Sequence, residues 1–244
     1  MQVDTFGSGM DLVWVMGWGN VVDSRHERWL VDRLVDAGYR VHAVELPTTT
    51  PDFRRDCVAP VREYLDDLDA AGDRGDDDGG GGDDASDGDG DAYAVLAHSM
   101  GGLALLHADP DPKAVYLSPW WGMHDLPIVL EPLLALPVAT PVLPYASNPG
   151  ALGDLATSED DTGPDRIAPK WIQTVREHQR SLPALDADDH VFYAPDDEVV
   201  DPAAIERHAP DSQRSTYDGG HELFASSGRD EYVQWVIDEL PGPN

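Results

Sequence analysis

Fifteen consecutive residues, Tyr93 to His107, narrow the fold more than any other part of this chain. Tyr93-Ala94-Val95-Leu96-Ala97 is apolar throughout and short, the mark of a strand buried on both faces. His98-Ser99-Met100-Gly101-Gly102 follows at once, and Leu103 to His107 then opens a helix. A strand that enters a helix with no intervening loop must reverse sharply. Small residues two before and two after the serine permit that turn, which lifts the hydroxyl clear of the sheet. Here those positions are Ala97 and Gly101, so the first differs from the more usual glycine.

The rest of the chain repeats the strand-then-helix rhythm. Leu12 to Met16, Arg40 to Leu46, Ala114 to Leu117, Val191 to Ala194 and Ser215 to Tyr217 read as further strands. Ser24 to Ala37 and Asp52 to Ala70 carry apolar residues at helical spacing, Gly38 sits where the first of these helices should stop, and Tyr232 to Leu240 closes the chain as a helix. Alternation of this kind predicts one α/β domain over residues 1–244, a mostly parallel sheet with helices on both faces.

Two segments depart from the rhythm. Residues 73–91 are almost wholly Asp and Gly, cannot bury apolar surface, and are expected to form a disordered loop. Residues 122–189 separate the fourth and fifth of the strands above. They begin with an apolar stretch, Leu126 to Tyr145, that Pro127, Pro132, Pro137, Pro141 and Pro144 prevent from forming one straight membrane helix. A short helix is expected over Pro169 to Arg180. An insertion this long is read as a cap over a site, since structureless connections of this length are uncommon in compact domains.

Charge restricts the partners. Lys and Arg number 16 against 47 Asp and Glu, a formal charge of -31, and the only lysines are Lys113 and Lys170. The acidic loop holds only part of this excess, so the remaining surface is acidic too. Nucleic acid and anionic membranes would be repelled. Concentrated salt, with a screening length of about 3 Å at 1 M, would quench the self-repulsion, which points to a host with a salt-rich cytosol. The single cysteine, Cys57, excludes an intrachain disulfide and reads as a core residue. Met1 to Asp11 carries no basic leader pattern, and a cytoplasmic protein is expected.

A serine hydroxyl needs a base before it can attack. His221 is the candidate, on a late loop whose Gly219-Gly220 would let it reach across the top of the sheet. Among the other candidates His107, His178 and His208 sit in helical patterns, His190 begins a strand, and His98, next to Ser99, is expected to point away. The base needs a carboxylate to orient it. Asp196-Asp197-Glu198 supplies three after a strand; Asp197 is favoured, with Asp196 and then Glu198 behind it. Ser99, Asp197 and His221 follow one another in the order that a strand-to-helix serine elbow implies. Backbone N–H groups must meet the developing oxyanion, one from Met100 and one from Trp18, with Gly19 as alternative.

Met16-Gly17-Trp18-Gly19, Ala97-His98-Ser99-Met100-Gly101-Gly102, Asp196-Asp197-Glu198-Val199-Val200 and Gly220-His221-Glu222 together resemble the α/β-hydrolase superfamily, notably its capped esterases and lysophospholipase relatives. The resemblance runs from Leu12 to Leu240. Met16 stands where such proteins usually carry a histidine ahead of the Gly-x-Gly turn. It implies an α/β-hydrolase fold and a serine hydrolase that needs no metal or organic cofactor and acts on a small ester-like substrate. Trp120, Trp121, Leu126, Ile128, Leu130, Leu133 and Leu134 suggest an apolar acyl or alcohol group, unless they serve only as core. Acyl transfer, thioester cleavage, C–C hydrolysis and perhydrolysis remain open on the same residues, as does a non-catalytic ligand receptor on this fold.

Overall fold

A computed structural model describes residues 1–72, 93–124, 131–145, 148–160 and 162–243. Elements in chain order are β1 (Gln2–Gly7), β2 (Met10–Val15), α1 (Arg25–Asp36), β3 (Tyr39–Glu45), α2 (Ala59–Gly72), β4 (Tyr93–His98), α3 (Met100–Ala108), β5 (Ala114–Leu117), α4 (Glu131–Leu134), β6 (Leu143–Pro144), α5 (Pro149–Leu152), β7 (Arg166–Ile167), α6 (Pro169–Gln179), β8 (His190–Tyr193), α7 (Pro202–His208), β9 (Arg214–Thr216) and α8 (Arg229–Glu239). The expected disordered loop at 73–91 lies outside the described residues.

Seven strands form one sheet in the order β1–β3–β2–β4–β5–β8–β9. Every neighbouring pair is parallel except β1 with β3, which runs antiparallel with Gln2 opposite Glu45 and Gly7 opposite Arg40. The edge strand β1 adds to the sheet inferred from the sequence. Its residues are exposed or half-buried, so it lacks the apolar run that marks the central strands.

Period-two alternation divides the core in two. Val13 and Val15 of β2, Val95 and Ala97 of β4, and Tyr116 of β5 face one layer, where they meet Val61 and Leu65 of α2 and Leu103 of α3. Leu12, Trp14 and Met16, Ala94 and Leu96, and Val115 and Leu117 face the other, against Leu30 and Leu34 of α1 and Val233 and Val236 of α8. Burial on both faces explains why these strands read as unbroken apolar runs.

Helix ends follow local rules. Gly38, at φ +100°, takes the left-handed position just past α1. Asp201 caps α7 by accepting from the Ala203 N–H at 3.1 Å, with Pro202 in the first helical position. A π-helical turn over Arg54–Val58 precedes α2, and Pro60 sits just after it, where a regular helix would press the proline ring on the carbonyl four residues back.

Between β5 and β8 the chain leaves the sheet. The described parts of this excursion comprise α4, the small antiparallel pair β6–β7, α5 and α6. Trp171, Ile172 and Val175 of α6 are buried in the layer that contains α2 and α3. Its α5 end is bonded elsewhere: the His221 N–H donates to Ala151 O at 2.9 Å, Glu222 N–H to Leu152 O at 2.7 Å, and Leu155 N–H to Ala225 O at 3.0 Å.

Candidate active site

Ser99 sits between β4 and α3 at φ 51° and ψ −117°, a backbone region that L residues seldom occupy. Its N–H donates to Leu117 O at 3.0 Å, and its carbonyl accepts from the N–H groups of Gly102, Leu103 and Trp120. Four backbone bonds thus hold the strained turn in place. Gly101 is demanded by the same turn, because a Cβ there would lie 2.1 Å from Val15 O. Met100 begins α3, so its N–H belongs to the positive end of that helix.

Asp197 follows β8 in a tight turn. Of the three adjacent carboxylates only Asp197 is buried; Asp196 and Glu198 are exposed. Asp197 Oδ1 accepts from the N–H groups of Val199 at 2.7 Å and Val200 at 3.0 Å. Asp197 Oδ2 accepts from His221 Nδ1–H at 2.8 Å. Burial alone would push this carboxyl up, but the His221 ring and the two amides outweigh it and hold the group below the ordinary carboxylate range. The loop that carries His221 is steadied by Tyr217, whose hydroxyl lies 2.8 Å from Gly220 O and 3.1 Å from His221 O and pairs with Ser118 Oγ at 3.0 Å.

Ser99 and His221 line one cavity of about 590 Å³. Trp18, Leu134, Leu143, Ile167, Trp171 and Val199 form its apolar side; Asn20, His98, Asp160 and Glu222 form a polar end. Trp18 is tied to the loop after β3 through Nε1–H, which donates to Thr48 O at 2.6 Å, and meets the Tyr145 ring edge-on at 5.0 Å. Gly19, at φ +80°, also lines the cavity, and its carbonyl accepts from Thr162 Oγ1 at 2.6 Å. Leu133 and Trp120 line the cavity as well. Trp121 does not: it packs in the core against Tyr116, with ring centroids 5.3 Å apart. Leu126, Ile128 and Leu130 lie outside the described residues.

His98 departs from the sequence expectation. Its ring faces the cavity, 4.8 Å from the His221 ring, and its Nδ1 lies 3.1 Å from Asn20 Oδ1. Gly17 makes room for this, since a Cβ there would fall 2.6 Å from His98 Nδ1. Burial first, then the His221 charge, drives the basicity of His98 well down, so it is a neutral ring in this place.

Sequence reasoning missed Asn20, Glu27 and Glu222. For Glu27 a signal existed: it stands three residues before Leu30 and seven before Leu34, on the buried face of α1. Nothing local marks Asn20 or Glu222, which meet only through the tertiary fold.

The comparisons agree with this architecture. A model of the alpha/beta hydrolase family matches residues 12–239. A search of curated protein sequences finds no significant match. Among solved structures, the monoacylglycerol lipase of Paleococcus ferrophilus superposes with a TM-score of 0.63 at 17% identity, over 98% of each chain. Saccharomyces cerevisiae monoglyceride lipase, a soluble variant with a substrate analog, gives 0.66 at 13% identity over 97% of this chain and 91% of its own. An Exiguobacterium antarcticum esterase gives 0.60 at 14% identity over 97% and 93%. Among the described residues no helix is long and apolar enough to cross a membrane. With a family match over nearly the whole length and a sheet, elbow and strand order to go with it, the chain belongs to the alpha/beta hydrolase family.

Proposed function

We propose that this protein is a serine hydrolase that cleaves a carboxylic ester of a small, apolar substrate through an acyl-enzyme. The observation that carries the reading is the buried Asp197–His221 pair, at 2.8 Å, whose His221 lines the same cavity as the strained Ser99. In the proposed cycle Ser99 Oγ attacks the ester carbonyl and its proton passes to His221 Nε2. Asp197 stabilises the imidazolium and fixes the ring through Nδ1. The backbone N–H groups of Trp18 and Met100 receive the oxyanion. The tetrahedral adduct collapses, the alcohol leaves with the proton from His221, and the acyl group stays on Ser99. Water, deprotonated by His221, then releases the acid and restores the serine.

The apolar wall of Trp18, Leu134, Leu143 and Ile167 supports an apolar acyl chain. Lipase and esterase structures among the neighbours lend the ester reading further support, at the level of the family only. Residues 122–189 are read as the cap over this cavity. The formal charge of -31 supports a cytosol rich in salt as the working environment.

The test is a fluorophosphonate probe in molar KCl, applied to wild type, Ser99→Ala and His221→Ala and followed by intact mass. One adduct on wild type, lost in both variants, is expected, and p-nitrophenyl esters of graded chain length then give the acyl preference. A folded protein that takes no adduct would refute the reading. An adduct without ester turnover would move the assignment to acyl transfer on the same residues.

A further inference from the structure

Beside His221, at the polar end of the cavity, lies a cluster that the proposed cycle does not use. Asn20, on the loop after β2, donates through Nδ2 to Glu27 Oε1 of α1 at 2.5 Å and to Glu222 Oε1 at 2.9 Å. Its Oδ1 faces His98 Nδ1 at 3.1 Å. Glu27 and Glu222 are 3% and 5% exposed. Two buried carboxyl groups thus share one neutral amide, with no cation in hydrogen-bond contact with either among the described residues. Both cannot be ionised there at modest cost, because like charges in a poorly solvated site exclude each other.

We propose that Asn20, Glu27 and Glu222 form a positioning cluster: the two carboxyl groups hold one proton between them and, through Asn20, fix the His221 loop against the loop that follows β2. The inference rests on the reading of Ser99 and His221 as nucleophile and base. Three places meet at the cluster. Asn20 is two residues from Trp18, the candidate oxyanion donor; Glu222 is next to His221; His98 is next to Ser99. Losing the cluster therefore frees the reacting groups from one another without removing any of them.

Burial first, then the charges of Asp160 and Glu45, pushes Glu27 up to about 7, and burial first, then the charge of Glu27, pushes Glu222 up to about 8. The other groups that face the pair do not remove the need for a proton. Asp160 adds negative charge to both carboxyls, and Glu45 adds more to Glu27. His26, beside Glu27 on α1, is kept neutral by burial and by Arg25, and Arg25 is itself engaged with Asp160 at 3.0 Å. His98 is neutral, as described above, and His221 is paired with Asp197. Tyr217 is held protonated by burial. Rising pH should strip the shared proton, set the carboxylates against each other and loosen the His221 loop.

Two readouts on the full chain in molar KCl test this. The first is a 13C NMR titration of protein labelled at the glutamate carboxyls. Two glutamates should titrate above the ordinary range, near pH 7 and pH 8, and Glu222→Gln should leave a single raised titration, on Glu27. The second is the rate of Ser99 phosphonylation against pH in wild type, Glu222→Gln, Glu222→Leu, Glu27→Gln and Asn20→Ser. Wild type should slow above about pH 8, a fall that Glu222→Gln, which mimics the protonated acid, should lack. Glu222→Leu should slow labelling about tenfold below about pH 8, the loss of a buried hydrogen bond worth about 1.4 kcal/mol, and the glutamine variant should restore most of it. Glu27→Gln and Asn20→Ser serve the same comparison if the leucine variant does not fold. A protein in which all glutamates titrate below pH 6, or in which none of these variants changes the pH profile, overturns the proposal. If wild type takes no adduct at any pH, the hydrolase reading fails, and the NMR titration still decides whether the pair holds a proton.

Discussion

Replacing Ser99 by glycine should abolish the proposed chemistry and make the protein more stable. Ser99 is held at φ 51° and ψ −117° by four backbone hydrogen bonds that do not involve its side chain. A glycine inherits all four and occupies this region without strain. Strain of this kind costs about 1–3 kcal/mol. Against that, glycine loses about 0.5–1 kcal/mol through the greater freedom of the unfolded chain. The balance is a gain of about 1 kcal/mol, and for a chain of this size about 2–4 °C in Tm. Ser99→Ala is the internal control. It removes the hydroxyl but keeps a Cβ in the same strained region, so it should gain little. Thermal denaturation followed by circular dichroism, at one KCl concentration for all three proteins, reads the difference. A Ser99→Gly protein that melts at or below the Ser99→Ala protein would refute the argument that the turn stores strain.

Asp197→Asn should cut the rate of Ser99 labelling by about 10²–10⁴, by favouring the wrong imidazole tautomer. Because the Asp197 pKa is depressed in the fold, its stabilising share is present above the ordinary carboxylate range and is lost as pH falls through the folded value; acid denaturation profiles of wild type and the Asn variant should converge at low pH. Cys57 is fully buried and its thiol is pushed up to about 12, first by burial, so it should resist a disulfide-exchange reagent until the protein unfolds. Raising KCl from about 0.1 M to about 1 M shortens the screening length from about 10 Å to about 3 Å and should raise Tm; a Tm independent of salt would count against the self-repulsion argument.

Much of this molecule was written locally. The strands β2, β4, β5 and β8 are apolar on both faces, so each announced itself as an unbroken run, and their alternation with helices dictated a parallel sheet. Ser99 stood out because the turn around it tolerates so few residues, as Gly101 against Val15 O makes plain. Asp197 could be preferred to its neighbours because the apolar pair Val199-Val200 follows it at the usual offset; the fold then returns both of their amides to its side chain. The features that escaped are those with no local cause. Strand β1 is an exposed edge, stabilised by its register with β3 rather than by its own pattern. His98 faces the cavity because Gly17, eighty-one positions earlier, leaves a space. Glu222 follows His221 in sequence, yet its meaning depends on Asn20 and Glu27, two hundred residues upstream.

The bonds between α5 and the His221 loop bear on how such a protein could be re-engineered or could diverge. Ala151 and Leu152 supply carbonyls to His221 and Glu222, Leu155 returns a bond to Ala225, and Ser227 N–H donates to Asp154 Oδ1 at 2.6 Å. Gly220 packs so closely that a Cβ would lie 2.6 Å from Leu152. The excursion between β5 and β8 is therefore not a module that can be exchanged whole. Its first half, through β6, is tied to the second instead: β6 pairs with β7, and Arg176 of α6 donates to Glu131 of α4 at 3.0 Å, so an exchange there has to keep those partners while the α5 stretch stays behind as part of the scaffold. A recombination point placed just before Asn148 should preserve the His221 loop, whereas one placed after Asp154 would import a stranger's carbonyls beneath His221. Variation among relatives of this chain in the shape of the cavity should accordingly concentrate on the α4–β6 side, with the α5 segment drifting only in step with the loop it supports.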